Sequence, residues 1–336
     1  MITNVLFKFD VDSGKIAGTG HMMRCLIIKN LLKKKYKNSL KYYFFFNNYS
    51  DSKKIVRKYI KKNLIVNNKN SFSNISFLNN NSLIINDTPN KIDKFFLKYC
   101  EKNNLKNLVL IDHNKINYPY SYTLINGIYY FKKKINSLKN VYQGFKYILL
   151  NKMYSSVKKK RSNILKILIT TGGTDNKNVV YKIYNNLKDI KDIKFYVVIG
   201  PGFMKENFIL KEKNKNITFI KNKKNLKPYF EKTDVSITAG GISMFESICS
   251  KNITLVTQLY ENQKYSIKHL NDLKMITLIG KNNYINQDKL RKIILNLINI
   301  KKIKQIKIPK NFKLIDGKSL FRIEKILFKI INKNIG

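Results

Sequence analysis

Short apolar runs alternate with longer helical patterns along this chain, and the alternation starts again after a basic, polar stretch at Ser155–Asn163. Short apolar strands separated by helices are typical of βαβ units, in which the strands are parallel. The 336 residues are enough for two domains of about 150 residues each. The sequence therefore predicts an α/β protein with two parallel-sheet domains, residues 1–156 and 157–336. It leaves open whether the closing helix packs back on the first domain.

Predicted strands and helices alternate in the same way in both halves of the chain. In the first half the predicted strands are Asn4–Asp10, Lys41–Asn47, Ser82–Asn86, Asn107–Asp112 and Tyr122–Ile125, and the predicted helices are Met22–Lys35, Lys53–Lys62 and Lys91–Lys102. In the second half the predicted strands are Leu165–Thr171, Phe195–Ile199, Ile217–Ile220, Val235–Thr238, Thr254–Thr257 and Ile276–Ile279, and the predicted helices are Asn178–Leu187, Ser243–Ser250, Gln263–Leu273 and the closing Lys318–Ile331. Two such domains predict a ligand-binding cleft between them, lined by loops that follow strands.

The first candidate motif follows the first strand and opens the first long helix. It contains Gly18, Gly20 and His21, with Arg24 one turn later. Glycines let the backbone approach a ligand closely, and a helix N-terminus offers N–H groups and partial positive charge to a diphosphate. A histidine there can accept a proton from water or a hydroxyl near neutral pH. The alternative is an ordinary glycine turn in which His21 caps the helix or packs in the core, and the sequence leaves both interpretations open.

Two glycine-containing loops follow strands in the second half in the same way. One contains Gly172, Gly173 and Thr174, and the other contains Gly240, Gly241, Ile242, Ser243 and Glu246. Both loops are suited to a diphosphate because each leads into a helix N-terminus. Ser243 is expected to cap the following helix, and Glu246 to accept hydrogen bonds from ribose hydroxyls. The alternatives are ordinary turns and a first-turn carboxylate that only favours the helix dipole.

A fourth candidate segment follows the predicted strand Thr254–Thr257. The side-chain amides of Asn262 and Gln263 could reach a nucleotide or a sugar there, or they could belong to a polar loop. The three histidines are far apart in the sequence and lack ligand spacing, so the sequence predicts no metal site and no cofactor. A phosphate-binding loop with lysine and a dinucleotide-binding GxGxxG pattern are both absent from the sequence.

The formal net charge of +46 raises the possibility of a nucleic-acid or membrane partner. Arginine, however, accounts for only five of the 66 basic residues: Arg24, Arg57, Arg161, Arg291 and Arg322. Nucleic-acid surfaces usually use arginine for bidentate contacts, and the lysines here are spread from end to end. The charge therefore indicates a solvated basic surface, with no specific nucleic-acid site and at most loose contact with an acidic membrane surface.

The cysteines and the hydropathy pattern indicate the cellular compartment in which the protein works. Cys25, Cys100 and Cys249 have no paired spacing and lie in apolar helical contexts, which predicts buried, reduced thiols. The N-terminus resembles a strand and carries no signal-peptide pattern. Apolar runs stay well short of the ~20 residues of a spanning helix. We therefore expect a cytoplasmic protein without a transmembrane segment, and a monomer.

At these residues the chain resembles the UDP-sugar hydrolases of pseudaminic acid biosynthesis, which act on UDP-2,4-diacetamido-2,4,6-trideoxy-β-L-altropyranose. It is equally similar to the related spore-coat-polysaccharide proteins described as glycosyltransferases. The resembling stretches cover most of the chain in the right order: Phe7–Asp10, Gly18–Cys25, Leu108–Asp112, Gly144–Leu150, Gly172–Asp175, Ala239–Glu246 and Glu261–Gln263. Gly18–Cys25 is the most specific of them.

The resemblance implies a GT-B architecture, with two Rossmann-like domains facing each other and UDP held by the second domain. It implies that His21 is the catalytic base and that Asp10 is a polar residue of the same pocket. It assigns the ribose to Glu246, the diphosphate to Gly240–Ser243, and further polar contacts to Asn262 and Gln263. Two positions depart from the family pattern, because Lys8 and Asn151 stand where arginines are usual. Both departures bear on the identity of the sugar.

Three hypotheses about function follow. In the first, water activated by His21 attacks the anomeric carbon of a UDP-sugar, without a metal and with inversion, and UDP and the free sugar of nonulosonic acid biosynthesis are released. In the second, His21 deprotonates an acceptor hydroxyl and the protein is an inverting glycosyltransferase. In the third, which rests on charge alone, the protein binds polyanions without catalysis and does so with a steep salt dependence.

Overall fold

The computed structural model describes residues 2–9, 20–46, 56–66, 78–88, 94–111, 123–126, 140–159, 162–173, 177–200, 214–221, 225–282, 284–302 and 314–332, with Ile75, Asp175, Phe203 and Lys223 as single residues. Its contacts divide the chain into two compact units. The first contains Met1–Asn151 and Lys318–Gly336, and the second contains Lys152–Gly317. The boundary expected after residue 156 lies close to this division, and the closing helix belongs to the first unit.

The described strands of the first unit form one parallel sheet. They are β1 (Asn4–Phe9), β2 (Lys41–Phe46), β3 (Ile65–Val66), β4 (Ser82–Thr88), β5 (Lys106–Ile111), β6 (Thr123–Asn126) and β7 (Val141–Gln143). Their order in the sheet is β3-β2-β1-β4-β5-β6-β7.

The second unit repeats this arrangement with its own seven described strands. They are β8 (Leu165–Thr170), β9 (Ile193–Ile199), β10 (Ile217–Lys221), β11 (Val235–Ala239), β12 (Ile253–Gln258), β13 (Thr277–Lys281) and β14 (Tyr284–Ile285). The order is β10-β9-β8-β11-β12-β13-β14, and only the last pair is antiparallel among the pairs described.

The helices that cover the sheets include α1 (Gly20–Tyr36), α2 (Lys94–Lys102), α3 (Val179–Leu187), α4 (Lys227–Lys232), α5 (Ile242–Cys249), α6 (Lys264–Asp272), α7 (Gln287–Lys302) and α8 (Ser319–Asn332). Within the described part of the chain, no helix is long and apolar enough to cross a membrane.

The core of the first unit explains how α1 is fixed on its sheet. Apolar residues recur every three or four positions along α1, namely Met22, Cys25, Ile28 and Leu32, and all are at most 2% exposed. They pack with Phe7 of β1 and Phe44 of β2, whose rings stack 5.1 Å apart. Ile323 and Leu327 of α8 join the same cluster. Because α1 is the next described element after β1, this packing holds the helix N-terminus at the carboxyl edge of the sheet.

Each sheet has a point at which the strand order reverses. β1 pairs with β2 on one side and β4 on the other, and β8 pairs in the same way with β9 and β11. In doubly wound sheets, ligands bind outside the carboxyl ends of the strands at this point. The strands end there with Asp87 and Thr88 in the first unit, and with Thr170 and Ala239 in the second.

The predicted α/β class with parallel sheets is confirmed. The sequence analysis missed β3, β7 and β14, because strands of two or three residues show no recognisable alternation. It also missed α4 and α7, although the buried residues Leu290, Ile294 and Leu297 repeat in α7 at helical spacing. The predicted strand Ser82–Asn86 is too short, since β4 continues through Asp87 to Thr88.

The predicted helix Lys53–Lys62 ends earlier than predicted within the part that the structure describes, since Val56 is helical there and the residues after it are not. Residues 57–60 form a turn, and a single 3-10 turn follows at Lys62–Leu64. Basic residues stand four apart in this segment, as in the pairs Arg57 with Lys61 and Lys58 with Lys62. Like charges at this spacing destabilise a helix.

Candidate functional site

A buried cluster of charged side chains lies at the strand-order reversal of the first unit. Nδ1 of His21 is 2.6 Å from Oδ1 of Asp87, and Arg24 donates from Nη2 to the same oxygen at 2.5 Å. Nε of Arg24 donates to the other carboxylate oxygen at 3.1 Å. His21, Arg24 and Asp87 are 8%, 6% and 0% exposed. Consecutive turns of α1 therefore present a histidine and an arginine to a carboxylate at the end of β4.

The geometry of the cluster selects one tautomer of His21. Nδ1 is also 2.8 Å from Nη2 of Arg24, which can only donate, so Nδ1 either accepts from Arg24 or donates to Asp87. A bare Nδ1 would place its lone pair against the carboxylate oxygen of Asp87, whereas a protonated Nδ1 donates to that oxygen. We conclude that Nδ1 carries the proton and that Nε2 carries the lone pair. A histidine oriented in this way by a carboxylate is equipped to act as a general base through Nε2.

The charge on Asp87 is maintained despite its burial. Burial alone raises the pKa of this carboxyl, but attraction to Arg24 and His21 and hydrogen bonds from both hold the pKa below its usual value. Cys25 also contacts this carboxylate, with Sγ 3.8 Å from Oδ2, and burial next to Asp87 raises the pKa of its thiol. Asp87 is therefore ionised at neutral pH and Cys25 is a protonated, unreactive thiol.

The other site residues predicted in the first half are distributed as follows. Asp10 and Gly18 lie outside the described residues. Gly20 is the first residue of α1, two residues before the predicted start, so His21 lies in the first turn of the helix. Lys8 is 5% exposed, and its ammonium group lies 4.7 Å from the centre of the Phe96 ring. Asn151 is half-buried at the end of the first unit.

In the second unit, the loop after β8 contains Gly172 with φ of +99°, a conformation that favours glycine. Gly173 follows it, and Thr174 lies outside the described residues. In the helix that comes next, α3, two of the N-terminal N–H groups already have a partner within the chain. The carboxylate of Asp175 already accepts hydrogen bonds from the backbone N–H groups of Val179 and Val180, at 2.8 and 3.0 Å. The expectation that this helix end stabilises a diphosphate stays a prediction, and two of the N–H groups on which it depends are already bonded to Asp175.

The loop after β11, by contrast, leads into a helix whose N-terminus has no side-chain cap. Gly241 is the N-cap of α5, and no side chain caps this helix in the described structure. The expected cap by Ser243 is wrong, since Ile242 and Ser243 are the first two residues of the helix itself. No described atom lies within 4 Å of the position that a Cβ would take at Gly241, whereas at Gly240 it would lie 2.5 Å from Cδ1 of Ile267. Gly240 is thus required by packing, and Gly241 keeps the helix N-terminus open.

Glu246 lies one turn into α5 and is half-buried. Burial raises the pKa of its carboxyl to about 7, and a hydrogen bond with the side chain of Tyr154 opposes that rise. Tyr154 belongs to a 3-10 helix at Lys152–Ser156 that opens the second unit. Its pKa is raised by burial and by the neighbouring charge of Glu246.

The fourth predicted segment forms a 3-10 turn at Glu261–Gln263. The side-chain oxygen of Gln263 accepts hydrogen bonds from the backbone N–H groups of Leu259 and Tyr260, at 2.9 and 3.4 Å. This gives Gln263 a role in shaping the turn, while Asn262 is exposed. A Cβ at Gly240 would lie 3.0 Å from Cβ of Gln263, so the turn packs directly on the loop after β11.

The structure therefore gathers the described candidate residues of the second half at one edge of the second sheet. Lys177 adds a further connection, since its ammonium group donates to the backbone oxygen of Leu259 at 3.1 Å. Asp87 and Tyr154 are functional candidates that the sequence analysis missed. For Asp87 a signal existed, because an acidic residue stands second to last in the strand Ser82–Thr88, after its apolar run. No such signal marked Tyr154, since it stands directly before the polar stretch Ser155–Asn163 between the two predicted domains.

Cys25, Cys100 and Cys249 are buried free thiols, as predicted. Histidine, cysteine, aspartate and glutamate side chains nowhere come together in threes to hold a metal ion, as far as the described ranges extend.

Comparison with known proteins found no matching family model. The chain is 23% identical over 227 residues to the spore coat polysaccharide biosynthesis protein SpsG of Bacillus subtilis (strain 168), covering 64% of this chain and 67% of that protein. It is 30% identical over 337 residues to the uncharacterized protein MJ1062 of Methanocaldococcus jannaschii, covering 87% of this chain and 66% of that protein. The chain thus spans about two thirds of the length of each of these relatives.

Solved structures with the same fold include MurG of Acinetobacter baumannii, with a TM-score of 0.64 and 9% identity over 97% of this chain and 99% of that chain. The calicheamicin glycosyltransferase CalG4 gives a TM-score of 0.63 and 8% identity, with both chains fully covered. UGT89C1 of Arabidopsis thaliana, solved in complex with UDP, gives 0.57 and 11% identity over 98% of this chain and 100% of that chain. The predicted fold is confirmed: the chain has the GT-B fold of these glycosyltransferase structures, built from two Rossmann-like units.

Proposed function

We propose that this protein is an inverting enzyme that cleaves a UDP-sugar at its anomeric carbon and transfers the sugar to a hydroxyl group during polysaccharide biosynthesis. The observation that carries the proposal is the contact between His21 and Asp87 at the strand-order reversal of the first unit. It supplies a general base in a fold whose solved examples include glycosyltransferases, and one relative is named for polysaccharide biosynthesis.

In the proposed reaction, Nε2 of His21 removes the proton from the acceptor hydroxyl as its oxygen attacks the anomeric carbon. The bond between that carbon and the diphosphate oxygen breaks, and its electron pair leaves with UDP. Asp87 stabilises the imidazolium that forms, and Arg24 holds the carboxylate in place through two hydrogen bonds. The attack from one face and departure from the other invert the anomeric configuration. The proton on His21 then passes to water.

The second unit would hold the UDP part of the donor. The negative charge that develops on the diphosphate needs stabilisation, and the uncapped N-terminus of α5 supplies N–H groups and the positive end of the helix dipole. Gly241 leaves room for the diphosphate to reach those groups. Glu246, one turn further along α5, would accept hydrogen bonds from the ribose hydroxyls. UGT89C1, which has the same fold, was solved with UDP bound.

Hydrolysis is the second candidate. It is favoured by the likeness of the segment from Gly18 to Cys25 to the UDP-sugar hydrolases of pseudaminic acid biosynthesis. The same His21 would then activate water, and the products would be UDP and a free 2,4-diacetamido-2,4,6-trideoxyhexose. The fold neighbours and the polysaccharide-related relative favour transfer over this reaction.

The deciding experiment follows UDP release by NMR from UDP-2,4-diacetamido-2,4,6-trideoxy-altrose and from a panel of common UDP-sugars. Each is tested with and without a hydroxylated glycan acceptor. A transferase releases UDP slowly alone and at least about 10² times faster with the right acceptor, because without one it has only water as nucleophile. Fast release without acceptor, together with free sugar, would identify the hydrolase. Failure to bind any UDP-sugar would refute both.

A further inference from the structure

The exposed side of α8 carries phenylalanine and lysine side chains in alternation. Phe321, Lys325, Phe328 and Lys329 are exposed and recur at intervals of three or four positions, so they share one side of the helix. The rings of Phe321 and Phe328 are 57% and 47% exposed. Single exposed apolar residues are ordinary on a protein surface, but two rings in line on one helix indicate a surface that interacts with a partner.

The orientation of α8 is fixed by the first unit. The opposite side of the helix contributes three residues to the core of this unit, each at most 2% exposed: Ile323, Leu327 and Ile331. Lys106 of β5 donates from its ammonium group to the backbone oxygen of Ile330 at 3.0 Å. Nη1 of Arg322 donates to the backbone oxygen of Lys146 at 3.1 Å. The helix therefore cannot roll to bury the two exposed rings without losing these contacts.

Ammonium groups lie against both rings. Nζ of Lys325 is 4.5 Å from the centre of the Phe321 ring, and Nζ of Lys35 in α1 is 4.2 Å from the centre of the Phe328 ring. Glu324 supplies the one carboxylate of α8, and this half-buried group lies 4.0 Å from Nζ of Lys35. We define the α8 face as Phe321, Lys325, Phe328, Lys329 and Lys35. It is basic and aromatic, and the nearest acidic group of the helix is already paired.

The composition of the α8 face distinguishes between three kinds of partner. Surfaces that bind nucleic acids rely on arginine for bidentate contacts, whereas the cations of this face are lysines. Lysine is also depleted in the buried centre of protein interfaces. A bilayer surface with acidic lipids suits both residue types. Aromatic rings enter between the head groups there, and lysine lays its apolar stem along them while its ammonium group stays at the lipid phosphates.

We propose that the α8 face docks this protein on the surface of a bilayer that contains acidic lipids. The rings of Phe321 and Phe328 lie between the head groups, and the three lysines contact the lipid phosphates. The 14 residues of α8 give a helix that lies along the bilayer surface for about 21 Å. Two rings and three lysines support reversible, peripheral binding that depends on the acidic lipid. The inference does not depend on the proposed reaction, because it concerns a surface and not the site.

A tryptophan probe tests the contact directly, since the chain contains no tryptophan. Phe328→Trp is mixed with brominated phosphatidylcholine vesicles that contain about one third phosphatidylglycerol, at about 0.15 M salt. We expect the bromine atoms to quench the fluorescence, and the emission to shift to shorter wavelengths in the same vesicles without bromine. Vesicles of phosphatidylcholine alone should cause neither effect. Phe95→Trp is the matched control, because Phe95 is 82% exposed on α2 of the same unit, and it should not be quenched.

Vesicle sedimentation measures how much each ring contributes to binding. Phe321→Gln combined with Phe328→Gln should lower the partition constant for acidic vesicles by at least about 10-fold, because the exposed part of both rings no longer leaves water. Glutamine retains a good helix propensity, and thermal unfolding checks that the variant is folded. Phe95→Gln should leave the partition constant within about 2-fold of its original value, since its ring stays in water.

The lysines are tested in the same assay. Lys325→Gln combined with Lys329→Gln should lower the partition constant by about 25-fold, or about 5-fold for each lysine at an acidic surface. Lys98→Gln combined with Lys102→Gln on α2 is the matched control, since these exposed lysines have the same spacing. It should lower the constant by less than about 2-fold, because lysines away from the docked face are screened by salt. Equal losses in the two pairs would mean that the net charge of the whole chain binds the vesicles, and would overturn the inference.

Three further results would also overturn it. The first is no binding to acidic vesicles. The second is binding without quenching of Phe328→Trp, or with quenching of Phe95→Trp instead, which would place the membrane contact elsewhere. The third is a spectral shift of Phe328→Trp with RNA or heparin and none with vesicles, which would make the α8 face a site for polyanions.

Discussion

Asp87 receives hydrogen bonds from His21 and Arg24 at the same carboxylate oxygen, and those two residues are three positions apart on one helix. The arrangement ties the tautomer of the histidine to a buried charge pair. Removing the carboxylate would both free the histidine and leave the arginine without its buried counter-ion. The catalytic and structural roles of Asp87 must therefore be tested with separate variants.

His21→Asn tests the catalytic role, because it removes Nε2 and leaves Asp87 paired with Arg24. We expect turnover to fall by about 10²–10⁴-fold, the usual contribution of a general base. UDP affinity should stay within about 2-fold of the original value, since the proposed UDP site lies on the other unit, and a 2-fold change corresponds to only a few tenths of a kcal/mol. Substrate kinetics measure the turnover, and calorimetry measures the UDP affinity. Equal losses in both would remove His21 from the role of base.

Asp87→Asn tests the charge pair. Breaking a buried pair by removing one partner typically lowers the free energy of unfolding by about 3–5 kcal/mol, because the remaining charge is left uncompensated. We expect a loss of that size in urea unfolding and a loss of turnover comparable to that of His21→Asn. Asp189→Asn is the matched control, since Asp189 pairs with Arg291 at 2.9 Å on the surface, with its side chain 62% exposed. Equal effects of the two changes would contradict the buried role of Asp87.

Gly240 and Gly241 form a natural pair of test positions. Gly240→Ala places its Cβ 2.5 Å from Cδ1 of Ile267, and we expect this overpacking to cost about 1–3 kcal/mol of stability. Gly241→Ala meets no described atom within 4 Å and adopts φ of −94° without strain, so its thermal stability should be unchanged. Its methyl group would instead occupy the space proposed for the diphosphate, and we expect it to weaken UDP binding by about 10-fold. Unchanged UDP affinity in Gly241→Ala would exclude the N-terminus of α5 from the site.

Much of the fold was predictable from the sequence because the alternation of strands and helices is a local pattern. The glycine loops were found for the same reason, since each lies directly after an apolar strand. The partners of the site residues are not local. His21 and Asp87 are 66 positions apart, and Tyr154 affects the pKa of Glu246 only because residues 152–156 pack on α5. The charge state of Glu246 and the occupation of the α3 N-terminus by Asp175 are consequences of packing that no sequence pattern displays.

Asp175 gives a test of which helix end holds the diphosphate. Asp175→Ala removes the acceptor of two backbone N–H groups, and we expect a stability loss of about 1–2 kcal/mol, as for other lost caps. Asp175→Asn keeps an acceptor oxygen and should lose less. UDP affinity should be the same in both variants as in the unmodified chain. A marked gain in UDP affinity on removal of the carboxylate would show that the diphosphate uses α3, contrary to the proposal.

Glu246 should limit the stability of the protein above neutral pH. Its pKa is about 7 in the folded protein, against an ordinary value of 4.5, so between those pH values the folded state holds a proton that the unfolded chain has lost. The contribution of this residue to stability is therefore greatest below pH 4.5, falls as the pH rises to 7, and stays low above it. Glu246→Gln removes the titration, and we expect the variant to be about 1–3 kcal/mol more stable than the original at pH 8 and equal to it near pH 4.5.

Urea unfolding of both proteins at the two pH values measures this difference, and comparison at each pH cancels the titration of all other groups. Glu261→Gln is the matched control, because Glu261 lies in the same unit with its side chain 70% exposed, 3.3 Å from Lys264. Its effect should be small and the same at both pH values. The same Glu246→Gln protein should bind UDP less tightly at pH 8, because it has lost the charged acceptor for the ribose. Greater stability combined with weaker binding is expected of a carboxylate that is retained for its ligand at a cost to the fold. A variant that is no more stable at pH 8 would mean that Glu246 is ionised at no cost to the folded protein, and its burial would then need another explanation.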